Sequence, residues 1–263
     1  MRVGMLGRFF PLNWRPPADE IRFAAEHRFA AIQIRTDQAG TIADELRADL
    51  RDVGAAFAAS GVEPVLEMLV FHRGVAGTIP RALATNLPAI ELIGCRRVHV
   101  HPVGPDDAAP LLTADFAAAL ELAQGAGLIF GVEHNAPGHR LLVEPADVQA
   151  LLDEVPGLHF VWDLNHTRPE DVGSFARLRD RVSLVHVSDT PLPETNHHLP
   201  IGKGSVDFGV VRDLDVPLIL EVGGLPVSGG PGLDSDEVLL ESRAHLVSDT
   251  DSARQPPTPA NGV

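Results

Sequence analysis

The chain is predicted to be a single-domain α/β protein, a (β/α)8 barrel. Short apolar runs alternate with longer stretches rich in Ala, Leu, Arg and Glu. The alternation recurs eight times over residues 1–246, with no linker long enough to mark a domain boundary. Repeated βα units imply a parallel sheet, and eight of them in about 245 residues match the size of a closed barrel. A doubly wound open sheet is the runner-up. It usually has fewer strands and often carries a Gly-rich phosphate fingerprint after the first one, which Gly4-x-x-Gly7 does not supply.

Each element has its own signal. Val3–Leu6 reads as the first strand. Pro17-Ala18-Asp19-Glu20 opens a helix, with proline and acids in its first turn, that runs to about His27. Ala31–Arg35 is the second strand. Thr41-Ile42-Ala43-Asp44 has the pattern of a capping box and opens a helix ending before Gly61. Val62–Val70 is the third strand, followed by a helix over Pro80–Ile93 that closes at Gly94. Arg97–His101 is the fourth strand, and Leu111–Gln124 the helix after it. Leu128–Glu133 is the fifth strand, and the helix after it starts at Glu144-Pro145 and ends near Glu154. His159–Asp163 is the sixth strand, with a short helix near Phe175–Leu178. Val182–Val187 is the seventh strand, with a brief helix over Phe208–Leu214. Pro217–Val222 is the eighth strand, and Asp234–Leu246 the last helix. Residues 247–263 are rich in Ser, Asp, Thr, Pro and Gln and are expected to form a disordered tail.

Composition bounds the function. The chain has 36 Asp and Glu against 21 Lys and Arg, a net charge of −15. That balance disfavours nucleic acid and anionic membrane surfaces as partners. The lone Cys95 rules out an internal disulfide and fits a reducing compartment. No run approaches the roughly 18 apolar residues of a membrane span, and the N-terminus has no signal-peptide core, so a cytoplasmic location is expected. There are 12 histidines and no tyrosine. His72, His101, His134, His139, His166, His186, His197 and His198 fall at or just after predicted strand C-termini, the end where barrels do chemistry.

Strand five ends in Glu133, six in Asp163, seven in His186 and eight in Glu221. The gaps of 30, 23 and 35 residues are each about one βα unit. Four consecutive strands would therefore bring four ligand-type side chains to one side of the mouth. Three carboxylates held close repel one another and are costly to bury unpaired, and a divalent cation resolves that. An oxygen-rich set with one imidazole suits one Mn²⁺, Co²⁺, Mg²⁺ or Zn²⁺ ion. Taken one at a time, each of the four also fits a polar strand end that bonds a loop amide. His101 and His166 lie nearby, and His99 reads as a satisfied interior histidine. Glu67 lies inside the third strand. Gly202-Lys203-Gly204 could bring an ammonium to an anionic oxygen, although His72, His197 and Lys203 taken singly read as solvated loop residues. Trp14 and Phe9 either wall a ring or join the core.

The sequence resembles the xylose-isomerase-like TIM barrels, a superfamily of sugar isomerases and epimerases that also includes the endonuclease-IV-type apurinic endonucleases. The resemblance spans nearly the whole chain up to the tail. It rests on Val132-Glu133-His134-Asn135, Trp162-Asp163-Leu164-Asn165-His166, Leu184-Val185-His186-Val187-Ser188-Asp189, Ile201-Gly202-Lys203-Gly204-Ser205-Val206-Asp207-Phe208 and Leu218-Ile219-Leu220-Glu221. It implies a metal held by Glu133, Asp163, His186 and Glu221, with the two glutamates also serving as acid and base. By the same resemblance, His166 of the D-x-x-H motif contacts a substrate oxygen. Where the ketose 3-epimerases often have an arginine before the G-x-G, this chain has His198. The endonuclease branch implies a trinuclear zinc set. Its candidates here are His72, His101, Glu133, Asp163, His166, His186, His198 and Glu221, with Asn196 where that branch has an aspartate.

The expected activity is isomerisation or epimerisation of a sugar, sugar acid or cyclitol-like hydroxy-carbonyl compound. It would proceed by α-proton abstraction through a metal-stabilised enediolate. Glu133 and Glu221 would be catalytic, and His101, His166, His198, Lys203 and Trp14 would bind substrate. The partner is then a small polyhydroxy molecule, and a homo-oligomer is possible. The alternatives are a dehydratase or lyase on a keto-sugar, a trinuclear zinc phosphodiesterase and a non-catalytic barrel.

Overall fold

The computed structural model describes residues 1–9, 13–37, 40–223 and 234–252. Eight parallel strands close in sequential order, β1 (Arg2–Leu6), β2 (Ala31–Asp37), β3 (Glu63–Phe71), β4 (Arg97–Val103), β5 (Ile129–Glu133), β6 (His159–Asp163), β7 (Val182–Val187) and β8 (Pro217–Leu220). β1 pairs with β8, Val3 opposite Leu218, and this pairing closes the barrel. The helices are α1 (Pro17–Glu26), α2 (Ile42–Leu46), α3 (Leu50–Ser60), α4 (Thr78–Ile93), α5 (Ala109–Gly125), α6 (Pro145–Glu154), α7 (Val172–Ala176) and α8 (Asp236–Ser252).

Strand alternation sorts the side chains. Val3, Met5, Ile32, Ile34, Leu66, Val98, Val100, Phe130, Val132, Trp162, Val185 and Leu218 belong to the main core cluster. The alternate residues Ala31, Val65, Val161, Leu184 and Ile219 form a separate apolar cluster, in the barrel interior. Both faces are buried, so these strands read as near-continuous apolar runs. Towards the strand N-termini an ionic plug closes the barrel. Glu63 takes Arg2 at 2.6 Å and Arg97 at 3.1 Å, and Arg97 donates to the Ser183 carbonyl at 2.7 Å. Towards the C-termini, polar side chains follow the apolar layer.

Local chemistry explains the element ends. Thr41 and Asp44 form the predicted capping box at α2. The single helix expected up to Gly61 is instead two. Arg47 turns left-handed at φ 49°, and Asp49 then caps α3 by accepting from the Arg51 N–H at 2.8 Å. Gly94 ends α4 at φ 72°, a conformation that a side chain disfavours. The brief helix after the seventh strand is a 3₁₀ turn over Phe208–Val211. The last helix continues to Ser252, past the predicted end at Leu246, and Val247 packs against the core. The first six residues of the expected tail are therefore helical, and 253–263 lie outside the described residues. No helix among the described residues is long and apolar enough to cross a membrane.

Candidate metal centre

The alternation that fills the interior with Ala31, Val65, Val161, Leu184 and Ile219 places the residue two positions on in the next layer up. Those residues are Gln33, Glu67, Asp163, His186 and Glu221, and β4 and β5 add His99, His101 and Glu133. Register aligns them, with Asp163 beside His186 across β6–β7 and Glu67 beside His99 across β3–β4. Glu133, Asp163, His186 and Glu221 are each at most 4% exposed, so water cannot solvate their charge.

His186 sits at the middle. Its Nδ1 lies 3.3 Å from Glu133 Oε1, 3.6 Å from Glu221 Oε1 and 4.0 Å from Asp163 Oδ2. Three groups of three side chains could each hold a cation: Asp163–His186–Glu221, His99–Glu133–His186 and His101–Glu133–His166. Within each, the ligand atoms lie within 4.8 Å of one another. Glu133 Oε2, Asp163 Oδ2, His186 Nδ1 and both ring nitrogens of His99 are enclosed without a hydrogen-bond partner among the described residues. Buried polar atoms are normally satisfied, and hard carboxylate oxygens with imidazole nitrogens are satisfied by a divalent cation. The predicted ligand set therefore fits the group the sequence implies.

Burial and close like charges shift the protonation of the cluster. Burial, together with the neighbouring carboxylates, pushes Glu221 up to about 8. Burial raises Asp163 as well. Burial would lower His186, but Glu221 and Glu133 outweigh it and hold its pKa well above the usual imidazole range. His101 resists burial in the same way, through Glu133 and Glu67, and reaches about 9. Glu133 stays well below the carboxylate range because His101 and His186 overcome the cost of burying it.

An amide orients His101. Asn135 commits its NH₂ to the carbonyls of Pro102 at 2.7 Å and Leu141 at 2.9 Å, so its oxygen must accept from His101 Nε2 at 2.8 Å. His101 Nδ1 is then aimed inward, 3.4 Å from Glu133 Oε1. His166 lies on the turn after β6, which is tied down by Asn165 N–H to Asp163 Oδ1 at 2.7 Å and Thr167 Oγ1 to the Asp163 carbonyl at 2.8 Å. Its Nδ1 donates to the His134 carbonyl at 3.1 Å, and burial lowers its pKa to about 4. Burial lowers His198 to about 4 as well. Asn196 and His198 both hold left-handed backbone, at φ 64° and 51°, in the loop after β7. Such conformations at non-glycine residues concentrate at functional sites.

Above the layer opens a cavity of about 490 Å³. Glu67, His101, Glu133, His166, His198 and Glu221 line its polar side, and Leu69, Phe71 and Val103 form an apolar wall. Arg35, Asn196 and the exposed His139 stand around them.

Two predicted substrate contacts are not brought here. Lys203 is exposed and does not line the cavity, because Asp189 gathers its turn by accepting from the N–H groups of Gly202 at 2.9 Å and Val206 at 3.1 Å. A Cβ on Gly204 would collide with Asp189 and with the Thr190 carbonyl, so the Gly-Lys-Gly run serves close turn packing. Trp14 packs against the core beneath the Arg47 guanidinium, 5.8 Å from the ring centroid, and does not line the cavity. Phe9 is a core residue.

His72 is not a solvated loop residue. It is fully buried, its Nε2 lies 3.2 Å from Asp115 Oδ2, and it falls in none of the three ligand groups. His197 pairs with Glu194 at 2.7 Å. Gln33, Arg35, Asn135 and Glu67 have no site role in the sequence reading, yet they stand in the centre or at the cavity rim. For the strand residues the available signal was a polar side chain at an interior parity of an apolar strand, as in Ala31-x-Gln33-x-Arg35 and Val65-x-Glu67.

A family model described as xylose isomerase-like TIM barrel matches residues 21–216. Among solved structures, a D-allulose 3-epimerase from Methylomonas sp. is similar with a TM-score of 0.73 at 16% identity, over 97% of this chain and 98% of that one. An L-ribulose 3-epimerase is similar with a TM-score of 0.73 at 14% identity, over 98% and 99%. An AP endonuclease, family 2, from Brucella melitensis is similar with a TM-score of 0.65 at 15% identity, over 84% and 92%. At these identities the likeness shows the fold alone. No curated protein sequence matches the chain. The family match spans most of the barrel, and the chain belongs to the xylose isomerase-like TIM barrel family.

Proposed function

We propose that the protein is a divalent-metal-dependent isomerase or epimerase of a sugar, sugar acid or cyclitol-like hydroxy-carbonyl compound. The observation that carries this reading is the convergence of Glu133, Asp163 and Glu221 on His186, beneath a cavity of about 490 Å³ that Glu133 and Glu221 line. Glu133, Asp163, His186 and Glu221 would hold the ion. When bound, a divalent ion supplies Lewis-acid stabilisation of negative charge on the substrate's carbonyl and hydroxyl oxygens. One of Glu133 and Glu221 takes the proton α to the carbonyl, and the other returns a proton to the carbon skeleton. His101, His166 and His198 offer ring nitrogens to substrate hydroxyls. Leu69, Phe71 and Val103 cover the apolar face of the substrate.

The similarity to a D-allulose 3-epimerase and an L-ribulose 3-epimerase supports the isomerase class. The same proton removal followed by loss of a β-hydroxyl would make the protein a dehydratase. A panel of ketoses, sugar acids and inososes in D₂O tests the reading. Wild-type should wash deuterium into the α-position of its substrate, and Glu133→Gln and Glu221→Gln should each lose that exchange. Exchange retained in both variants would sink the mechanism.

Phosphodiester cleavage by several zinc ions is the second reading, favoured by the three overlapping ligand groups. Against it stand the engagement of His72 by Asp115 and the net charge of −15. Elemental analysis separates the two, with about one ion per chain expected here and about three for the phosphodiesterase.

A further inference from the structure

We infer that Gln33 is a positioning residue of this centre, whose amide sets the tautomer of His186 and anchors Glu221. The inference rests on the proposed metal reading and extends it to a strand that contributes no ligand. Gln33 is fully buried on β2, three strands around the barrel from His186 on β7. Its Nε2 lies 2.9 Å from Glu67 Oε2 and 2.7 Å from Glu221 Oε1, and its Oε1 lies 2.8 Å from His186 Nε2.

Only one orientation of the amide serves these three neighbours. The Glu67 carboxylate needs a donor, as does Glu221 once it ligates a cation, and an amide's NH₂ offers two. Turned over, its carbonyl oxygen would face two carboxylates. The oxygen therefore faces His186, and His186 Nε2 must carry the hydrogen that bridges them. Nδ1 is left as the ligand nitrogen, on the side where Glu133, Glu221 and Asp163 converge and where no hydrogen-bond partner reaches it among the described residues. The same NH₂ pins Glu221 Oε1, which is 3.6 Å from that nitrogen. Gln33 thus controls two of the four ligands, and it holds Glu67 and Glu221 on a shared donor so that they do not face each other unshielded. Outer groups of this kind orient metal-binding histidines and fix their tautomers.

Zn²⁺ is the probe, because it is diamagnetic and suits the ligand set. Zn²⁺ affinity is measured by competition with a chromophoric chelator, and the His186 ring by long-range ¹H–¹⁵N correlation of the Zn²⁺-loaded, ¹⁵N-histidine protein. In wild-type, His186 should show a slowly exchanging Nε2–H and a metal-bound Nδ1. Gln33→Leu, of similar volume, should weaken Zn²⁺ binding roughly 10- to 100-fold and lose the protected Nε2–H. Gln33→Glu keeps an acceptor for His186 and should keep that proton, so it separates tautomer control from packing and remains informative if the leucine variant fails to fold. Gln33→Leu binding Zn²⁺ within roughly twofold of wild-type with the Nε2–H intact would overturn the inference alone, as would loss of that proton in a folded Gln33→Glu. Wild-type that binds no Zn²⁺, Mn²⁺ or Co²⁺ would overturn the metal reading, and the inference with it.

Discussion

At the scale of single residues, the site owes its character to burial. Asp163 is almost fully enclosed, one of its oxygens has no hydrogen-bond partner among the described residues, and its pKa is raised chiefly by the loss of water. A carboxyl whose pKa is higher folded than unfolded costs stability at every pH above its unfolded value, because its charge is better solvated in the open chain. Asp163→Asn removes that charge and keeps an oxygen able to accept from the Asn165 N–H. With chelator present, it should raise the melting temperature by about 2–4 °C for each kcal/mol relieved. The same variant should lose the stabilisation that added metal gives to wild-type. Thermal melts with EDTA and with Mn²⁺ check both effects, and a lower melting temperature in EDTA would show that the charge is already compensated.

At the scale of elements, one helix is capped by another. The N-cap position of α4 is Gly77, which has no side chain to offer. Asp115 on α5 does that work from a distance, accepting from the N–H groups of Gly77 at 2.6 Å and Ile79 at 3.1 Å, with His72 Nε2 at 3.2 Å. The loop after β3 is thereby tied to two helices on the outside of the barrel. Asp115→Ala should cost about 1–2 kcal/mol from the lost cap, and more because His72 is left buried without its partner. Urea denaturation measures the loss. Metal affinity should be unchanged, since Asp115 is in none of the ligand groups. The two-helix arrangement of α2 and α3 is another local decision, taken by Asp49 and the left-handed Arg47.

At the scale of the whole molecule, the barrel is a frame that gathers charge at one end. An ion that binds the folded chain alone stabilises it by mass action, about 2.7 kcal/mol at a concentration 100 times its dissociation constant. For a domain of this size that is a rise of about 5–10 °C in melting temperature. The rise should grow with pH, because a cation must displace protons. Glu221 keeps its proton up to about 8, and His186 is held above the usual imidazole range. Scans with Mn²⁺, Co²⁺ and Zn²⁺ should therefore show a larger shift near pH 8 than near pH 6, and a shift independent of pH would argue against these ligands.

Much of this was open to reading in the primary structure. Eight apolar runs separated by helix signals imply a parallel barrel, and a barrel brings every strand C-terminus to one rim. Glu133, Asp163, His186 and Glu221 could therefore be grouped from their places at strand ends, and the same logic brought in His101 and His166. Other features depend on chain closure. Gln33 and His186 are 153 positions apart and meet only because β1 and β8 pair to complete the ring. Lys203 and Trp14 stand in loops whose paths are set by Asp189 and by the core, and no local pattern records a side chain so far along the chain. His72 reads as solvated in the sequence because its partner, Asp115, is 43 residues away. Periodicity and strand order are local properties, and they determine which residues reach the rim. Hydrogen bonds across the barrel and the routes of its loops are long-range properties, and they decide which of those residues face one another.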